Sequence, residues 1–202
     1  MKSSEQYWNN KIIEWESTYY DNESQISKST FETIAGFFRK PLIQRKVNLY
    51  KIIKDFIADN TSICEFGCGS GDFMNELSLK IDKNVKFVGV DISENAIQFA
   101  KNKFNNFEFY KSDLSKSNSI PKANIYFGLG FIDYLTINEI IDLIKKIDDH
   151  KAKYVFSVPE KKINFINILH FFYLKMAGCP KFYKFNKESF LNKLDNCNFI
   201  EL

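Results

Sequence analysis

Residues 62–73 combine a short apolar run, three glycines and the start of a helical pattern. Residues 63–66 are typical of a buried parallel strand, and Gly67, Gly69 and Gly71 follow at alternate positions. Glycine lets the backbone turn tightly and approach a ligand where a Cβ atom would collide. Because a helical pattern resumes directly after the glycines, free N–H groups at its start favour a polar or negative ligand group. The stretch therefore predicts a ligand-binding loop, with an ordinary tight turn as the alternative.

The glycine spacing indicates which ligand this loop takes. The dinucleotide-binding fingerprint G-x-G-x-x-G would require a glycine where Asp72 stands, and the sequence instead reads E-x-G-x-G-x-G from Glu65 to Gly71. A second apolar run, residues 87–90, follows this loop and ends in the carboxylate of Asp91. A carboxylate at that place can accept hydrogen bonds from both hydroxyls of a ribose. The two motifs together predict a site for an adenosine-bearing cofactor.

This pattern resembles the first motif of the class I S-adenosylmethionine-dependent methyltransferases, whose acidic residue lies two positions before the first glycine. The resemblance covers about residues 52–158 and becomes weaker on both sides. It implies an α/β fold with a doubly wound, mostly parallel sheet of strand order 3-2-1-4-5 plus a C-terminal strand. Helices would cover both faces of the sheet, with a further helical extension at the N-terminus. The implied cofactor is S-adenosyl-L-methionine (SAM).

The positions that match the family, together with their neighbours, are the candidate cofactor-binding residues. In the resembling family an acidic residue after the third strand meets the exocyclic amine of adenine. Asp113 stands at that place, although aspartate is also a common turn former. A glycine after the fourth strand lets backbone carbonyls face the methionine part of the cofactor. The candidates are Glu65, Gly67, Cys68, Gly69, Gly71, Asp91, Ile92, Asp113, Leu114 and Gly128.

The candidate catalytic residues follow the fourth predicted strand, residues 123–127. Ligands of open α/β sheets bind at the carboxyl ends of the strands, near the point where the strand order reverses. Asp133 and Tyr134 are therefore the polar side chains best placed to meet a methyl acceptor. His170 is a third candidate, although a single histidine in an apolar helix is more often a core residue. His150 precedes the fifth strand, which places it at the opposite edge of the sheet, and it is discounted.

Helical and extended patterns surround these motifs. Ser93 is a predicted helix N-cap, and Thr136 with Glu139 has the spacing of a capping box. Residues 19–24 are polar and are predicted to form a connector. Further helices are predicted over 5–16, 30–38, 41–58, 93–103, 136–147 and 187–194, and further strands over 107–110, 154–158 and 198–202.

Residues 163–177 are apolar almost all round and are too short to span a bilayer. This segment predicts a lid over an apolar acceptor or a buried helix, with a dimer surface or a membrane-surface helix as alternatives. The N-terminal aromatics, Tyr7 and Trp8 among them, either pack on the domain or help to cover the ligands. The resembling family ends its sheet with an antiparallel pair, of which residues 198–202 are predicted to form only the first strand.

Arginine occurs only at positions 39 and 45, and lysine provides the other basic side chains. The planar guanidinium group suits bidentate recognition of a carboxylate. One of these two arginines is therefore a candidate for binding an anion. A solvated surface charge is the alternative for each of them.

Length, charge and cysteine spacing limit the possible partners and compartments. The 202 residues predict one domain, with a helical cap over 1–58, a cofactor-binding core over 59–158 and a lid with a C-terminal helix and strand over 159–202. With 28 basic and 25 acidic residues the net charge is +3, without a dominant basic block, which argues against nucleic acid as the principal partner. The sequence also predicts reduced thiols and a cytoplasmic protein without stable membrane insertion. It does not indicate the oligomeric state.

The function that this resemblance implies is transfer of the methyl group of SAM to a small-molecule acceptor. O-methylation is the leading expectation, and N-methylation is close behind it. A non-catalytic adenosyl-binding module and a nucleotide-dependent oxidoreductase are the alternatives from other classes. No cluster of metal ligands is evident in the sequence, so a side-chain base, or none, is expected to assist the transfer.

Overall fold

A computed structural model of the chain describes residues 3–20, 44–161, 169, 172, 174–179 and 181–194. Several predictions fall outside these residues: the helix over 30–38, the strand over 198–202, Arg39 and the side chain of His170. Only part of the segment 163–177 is described.

Five parallel strands form one sheet in the order β3-β2-β1-β4-β5. This order confirms the prediction for the five core strands. The strands are β1 (Thr61–Phe66), β2 (Val85–Asp91), β3 (Glu108–Lys111), β4 (Ile125–Gly128) and β5 (Lys153–Phe156).

The strand order reverses between β1 and β4, because β1 lies between β2 on one side and β4 on the other. In the register, Phe66 of β1 pairs with Val90 of β2, and Glu65 pairs with Phe127 of β4. The carboxyl ends of these three strands therefore meet at one edge of the sheet. This edge is where ligands of open α/β sheets bind.

The helices connect and cover these strands. They are α1 (Ser4–Tyr20), α2 (residues 44–53 in the described part), α3 (Asp72–Ser78), α4 (Glu94–Lys103), α5 (Ile137–Asp149) and α6 (Lys187–Lys193). Short 3₁₀ helices occupy Lys54–Phe56 and Ile132–Tyr134. Among the described residues, no helix has both the length and the apolar character needed to cross a membrane.

The predicted helix caps are confirmed. The Ser93 hydroxyl accepts a hydrogen bond from the N–H of Ala96, and Thr136 and Glu139 form the reciprocal capping box at the start of α5. Several predicted boundaries are wrong by a few residues, such as the fifth strand, which is predicted over 154–158 but ends at Phe156. The helix predicted over 41–58 changes to a 3₁₀ turn after residue 53 and then becomes extended at Ile57. The connector predicted over 19–24 is wrong for Tyr19 and Tyr20, which belong to α1, and residues 21–24 lie outside the described residues.

The core has one layer on each face of the sheet, as the alternation of side chains along β1 requires. Cys64 and Phe66 pack on one face with Tyr126 and the apolar side of α5. Ile63 points to the other face and packs among residues of α2, α3 and α4. Both layers are closed to solvent, so the sheet provides a rigid base for the residues at its carboxyl edge.

Helix α1 is attached to the ligand edge of the sheet by polar contacts along its length. The Asn9 side-chain oxygen accepts a hydrogen bond of 2.8 Å from the Ser93 hydroxyl, and the Asn9 carbonyl accepts one of 3.1 Å from the Asn95 amide. Glu16 forms a largely buried ion pair with Lys103 at 2.7 Å. The N-terminal extension therefore lies beside the end of β2 and the start of α4.

Candidate functional site

The glycine loop after β1 turns through three left-handed backbone positions. Gly67, Gly69 and Gly71 have φ angles of 71°, 54° and 81°, a region that other residues avoid. At Gly71 a Cβ atom would lie 2.9 Å from the Phe109 ring, so this glycine is required for packing. At Gly69 a Cβ atom would meet nothing within 4 Å. Gly69 therefore combines a strained backbone with open space on its Cα, which is where a ligand can approach the loop.

Asp91 joins the glycine loop to the end of β2. Its carboxylate accepts hydrogen bonds from the N–H of Gly69 at 2.9 Å and from the N–H of Ser93 at 2.8 Å. Burial raises the pKa of Asp91, and these N–H groups oppose that shift. The N–H of Ile92 is a third donor, and a carboxylate has about four acceptor positions, so Asp91 retains acceptor capacity. Asp91 can therefore hold the loop and still accept hydrogen bonds from the hydroxyls of a ribose.

Glu65 is a buried carboxylate under the loop. It is 5% exposed, and its Oε2 atom has no hydrogen-bond partner. Burial raises the pKa of Glu65 well above its ordinary value, and Lys46 of α2 opposes this shift. Lys46 is itself paired with Glu76 at 2.9 Å. An unpartnered buried oxygen of this kind is suited to a cationic or N–H-bearing ligand group.

The end of β4 lies against the start of the glycine loop. A Cβ atom on Gly128 would lie 3.1 Å from the carbonyl oxygen of Phe66 and 3.2 Å from the Cβ of Phe131. Phe131 also limits the space at Gly67, because a Cβ atom on Gly67 would lie 3.3 Å from the Cβ atom of Phe131. The two glycines thus allow the ends of β1 and β4 to pack closely at the point of strand reversal.

Asp133 follows this crossing in the 3₁₀ turn and is 7% exposed. Its Oδ1 atom has no hydrogen-bond partner. Burial raises the pKa of Asp133 to about 6, while Arg45 and Lys184 act to lower it. The backbone carbonyl of Asp133 accepts a hydrogen bond of 2.7 Å from the N–H of Tyr183, so the 181–185 segment is attached here. Asp133 is therefore a buried carboxylate whose pKa lies near the range where a side chain can exchange protons at neutral pH.

Tyr134 lies between two aromatic rings from distant parts of the chain. Trp8 of α1 contacts it edge to face at a centroid distance of 5.0 Å, and Phe182 contacts it at 5.9 Å. These three residues, the aromatic wall, stand next to Asp133 in the fold. The contact places Trp8 beside Tyr134, and a role of the N-terminal aromatics in covering the ligands stays a prediction.

The remaining candidate cofactor residues have local roles in the structure. Asp113 accepts hydrogen bonds from the N–H and hydroxyl of Ser115 and from Lys116, which is the arrangement of a turn-forming aspartate. Leu114 is buried in the core, and Cys68 is a buried free thiol. Ile92 is half-buried between Asp91 and Ser93. Cofactor contacts by these four residues stay predictions.

His150 lies away from this edge, as predicted. Its Nδ1 atom is 2.6 Å from the hydroxyl of Tyr126, which in turn donates to the carbonyl of Pro121. The helical residues Leu169, Phe172 and Met176 are 46%, 55% and 82% exposed. These three side chains therefore lie outside the core, and the role of residues 163–177 stays a prediction.

Sequence reasoning missed the contributions of α2 and of the 181–185 segment. No pattern in the sequence marks Lys46, and the scarcity of arginine that marks Arg45 does not indicate what it faces. Asn9 also lacks a signal, since its partners lie more than 80 positions away. The sequence shows two carboxylates that need basic side chains nearby, Glu65 and Asp133. It does not show which basic residues approach them.

A family model described as a methyltransferase domain matches residues 57–163, slightly more than half of the chain. The match includes the glycine loop, Asp91, Asp113 and Asp133. It ends shortly after β5, so α1 and the 181–185 segment lie outside it.

Two curated relatives differ in how much of the chain they match. The carboxy-S-adenosyl-L-methionine synthase of Nautilia profundicola is 34% identical over 176 residues, which is 75% of this chain and 72% of the synthase. The ubiquinone/menaquinone biosynthesis C-methyltransferase UbiE of Campylobacter jejuni is 31% identical over 100 residues, which is 46% of this chain and 40% of that enzyme.

Among solved structures, the magnesium protoporphyrin IX methyltransferase of Synechocystis PCC 6803 with bound SAH is similar over most of the fold. The TM-score is 0.67 at 19% identity, and the match covers 95% of this chain and 86% of that one. At this level of identity the likeness concerns the fold. That protein binds SAH, the demethylated form of SAM, in this fold.

Proposed function

The chain belongs to the S-adenosylmethionine-dependent class I methyltransferases, and from this premise we propose that it methylates an oxygen atom of a small-molecule acceptor. The observation that carries the proposal is Asp133, a buried carboxylate with an unpartnered Oδ1 atom at the end of β4. It stands at the edge of the sheet where an acceptor must approach the cofactor. An oxygen acceptor needs a group that removes its proton, and Asp133 has the position and the pKa for this role.

The residues of the first two motifs fit the cofactor. Asp91 has lone pairs available for the ribose hydroxyls, and the open face of Gly69 leaves room for the ligand against the loop. The unpartnered Oε2 atom of Glu65 can accept a hydrogen bond from the α-ammonium group of the methionine part. When bound, SAM supplies an electrophilic methyl group on a sulfonium.

The residues of the chain would then act on the acceptor. Asp133 would accept the proton of the acceptor hydroxyl at Oδ1, which leaves the electron pair of the O–H bond on the oxygen that takes the methyl group. The aromatic wall of Trp8, Tyr134 and Phe182 excludes water from one side of this place. Much of the acceleration would come from holding the two reactants in line at close distance. Tyr134 would position the acceptor rather than exchange its proton.

Residues 163–177 and the N-terminal helix would form the cover of the site. Trp8 already contacts Tyr134, and the hydrogen bond from Tyr183 to Asp133 brings the chain that follows residue 177 to the same edge. Leu169 and Met176 expose apolar side chains in this segment, and these would close over an acceptor. Such a lid would shield the transferred methyl group from water.

A second candidate function is formation of carboxy-S-adenosyl-L-methionine, the product named in the synthase of Nautilia profundicola. It is favoured by the extent of that match, which reaches well beyond the cofactor motifs to 75% of the chain. The two functions differ in their product, because one places a methyl group on an acceptor and the other adds a carboxyl group to SAM itself.

One experiment separates these functions. The protein is incubated with methyl-labelled SAM and fractionated small-molecule cell extracts, and the products are analysed by radiochromatography and mass spectrometry. We expect the label to move to a small molecule as an O-methyl group that depends on the intact Gly69. Label on nitrogen or carbon would contradict the proposed acceptor, and a carboxylated SAM would support the second function. Binding of SAM without any product would indicate a non-catalytic module.

A further inference from the structure

Helix α1 lies along α4 and is joined to it by polar contacts at both ends. The side-chain oxygen of Asn9 accepts hydrogen bonds of 2.8 Å from the Ser93 hydroxyl and of 3.3 Å from the N–H of Asn95, in the first turn of α4. Glu16 lies 2.7 Å from the ammonium group of Lys103, in the last turn of α4. A spacing of seven residues places Asn9 and Glu16 on one face of α1. The two helices therefore run side by side in the same direction.

The contact at the first end continues to the carboxylate that is the candidate for binding the ribose. The N–H of Ser93 donates to Oδ1 of Asp91 at 2.8 Å, and Oδ2 of Asp91 accepts a hydrogen bond of 2.9 Å from the N–H of Gly69. Ser93 is only 1% exposed, so its position is set by protein groups rather than by water. A continuous chain of hydrogen bonds thus joins Asn9 of α1 to the glycine loop.

The contact at the second end also leads to the glycine loop. The ammonium group of Lys103 lies 3.3 Å from Oδ2 of Asp72, and this oxygen accepts a hydrogen bond of 2.7 Å from the Ser70 hydroxyl. Ser70 directly follows Gly69 in the loop and is buried. Glu16 is only 6% exposed, so its pairing with Lys103 is largely withdrawn from solvent. Lys103 therefore connects α1 with the loop through side chains alone.

Apolar packing would be enough to attach α1 to the domain. Tyr7 and Ile12 of this helix are buried and provide such packing. A largely buried ion pair adds little stability over apolar side chains of the same volume, but it fixes a distance and a direction. Both polar routes end at the glycine loop, where a displacement of about 1 Å is enough to misplace a bound ligand. The polar contacts of α1 are therefore better suited to positioning the loop than to stabilising the fold.

We propose that Asn9 and Glu16 are positioning residues of the cofactor site. They would hold Asp91 and the glycine loop in the arrangement that binds the cofactor, and would act through these groups rather than by contact with it. Both residues lie outside the part of the chain that matches the methyltransferase-domain model, residues 57–163. The chain would thus complete its cofactor site with its own N-terminal helix. By linkage, the bound cofactor would strengthen the attachment of α1 by the same factor.

The test measures the affinity of the full chain for SAH by calorimetry. Asn9→Ala should weaken binding by about fivefold or more. Asn9→Asp keeps an acceptor oxygen at the same place, beside the N-terminus of α4 where a negative charge is favoured, and should restore most of the loss. Asn10→Ala is the matched control, because Asn10 is the next residue of the same helix and is exposed. It should bind SAH as the parent protein does.

A double-mutant cycle separates positioning from general stabilisation of the fold. If Asn9 acts through Asp91, Asn9→Ala should have little further effect on SAH affinity in an Asp91→Ala background. Glu16→Gln tests the second route independently and should also weaken SAH binding, with exposed Glu14→Gln as its control. It decides the matter if Asn9→Ala does not fold.

Parent-like SAH affinity in folded Asn9→Ala and Glu16→Gln would overturn the proposal. Fully additive effects of Asn9→Ala and Asp91→Ala would also overturn it, because Asn9 would then not act through Asp91. These measurements use SAH without an acceptor, so neither result bears on the proposed methyl transfer to oxygen, which is tested by the labelled product.

Discussion

The two halves of the candidate site are built in different ways. The cofactor half consists of the loop from Glu65 to Gly71 together with Asp91, and its parts are joined by backbone N–H groups at adjacent strand ends. The acceptor half consists of Asp133 and Tyr134 with Trp8 and the 181–185 segment, and Arg45 of α2 acts on the pKa of Asp133. Its parts come from distant segments and are joined by ring contacts and by the backbone hydrogen bond from Tyr183 to Asp133.

This difference has consequences for substitution and for specificity. The cofactor half depends on backbone geometry that the central strands of the sheet hold in place, so changes there should act on cofactor binding. The acceptor half depends on long-range packing of α1, α2 and the 181–185 segment. Changes at Asp133, Tyr134 or Trp8 should alter turnover or acceptor choice while cofactor binding remains intact.

The largest expected effect is loss of cofactor binding in Gly69→Val. The valine would need a left-handed backbone that β-branched residues avoid, and its side chain would fill the space in which the ligand approaches. Calorimetry with SAH should show no measurable binding by the folded variant. Gly178→Val is the control, because Gly178 also has a positive φ and open space but lies outside the loop. Unchanged binding by Gly69→Val would show that the cofactor half is wrongly placed.

Asp133→Asn should act on the acceptor half alone. Loss of a general base lowers kcat by about 10²–10⁴-fold, whereas SAH affinity should stay the same. In the parent protein, kcat/KM should decrease as the pH drops below about 6, because burial raises the pKa of Asp133 to about 6 and the base must be ionised. The pH profile of the variant should lack this acidic limb. If Asp133→Asn weakened SAH binding as strongly as it lowered kcat, the cofactor half and the acceptor half would not be independent.

The third effect concerns Asp91. Asp91→Ala removes charge-assisted hydrogen bonds of about 1.5 to 3 kcal/mol, so SAH affinity should fall by about ten- to a hundredfold. Because Asp91 also holds the Gly69 N–H, part of the loss reflects a looser loop, and Asp91→Asn should retain more affinity than the alanine variant. Asp82→Ala, at an exposed position just before β2, serves as the control. Equal affinity in Asp91→Ala and the parent would remove Asp91 from the site.

Asp133 should also make stability depend on pH. Its folded pKa of about 6 lies above the ordinary value of 3.8, so the folded state holds this proton more tightly than the unfolded state. Stability from this group is therefore present below about pH 4 and is lost as the pH rises to 6, by up to about 3 kcal/mol. Denaturant unfolding should show Asp133→Asn gaining stability at pH 8 but not at pH 4. The same gain at both values would contradict the raised pKa, and exposed Asp142→Asn should show neither change.

The smallest effect is expected in hydrogen exchange. If residues 7–24 and 163–177 cover the acceptor half, their amide exchange should slow when SAH and the acceptor bind. Helix α5 packs in the core beneath the sheet and should show no change. Full protection of both segments in the free protein, unaltered by ligands, would exclude a lid.

The fold was predictable where local sequence patterns and burial agree. The apolar runs around 63–66 and 87–90 form buried parallel strands, and the capping box at Thr136 begins a helix as its spacing requires. The helix ends were less predictable. Tyr19 and Tyr20 continue α1 although the residues that follow are polar, and the helix predicted to residue 58 ends earlier in a 3₁₀ turn. Helix ends depend on tertiary contacts as much as on local preference.

The cofactor half could be predicted from the sequence, because its residues lie in two short motifs whose spacing follows from the turn and the strand end that they occupy. Glu65, Gly69 and Asp91 are recognisable from these two motifs alone. The fold alone shows that Arg45 acts to lower the pKa of Asp133, that Asn9 accepts a hydrogen bond from Ser93, and that Trp8 contacts Tyr134. The physical reason is that these pairs are joined by packing between distant segments, and no local pattern in the chain encodes which side chains such packing brings together.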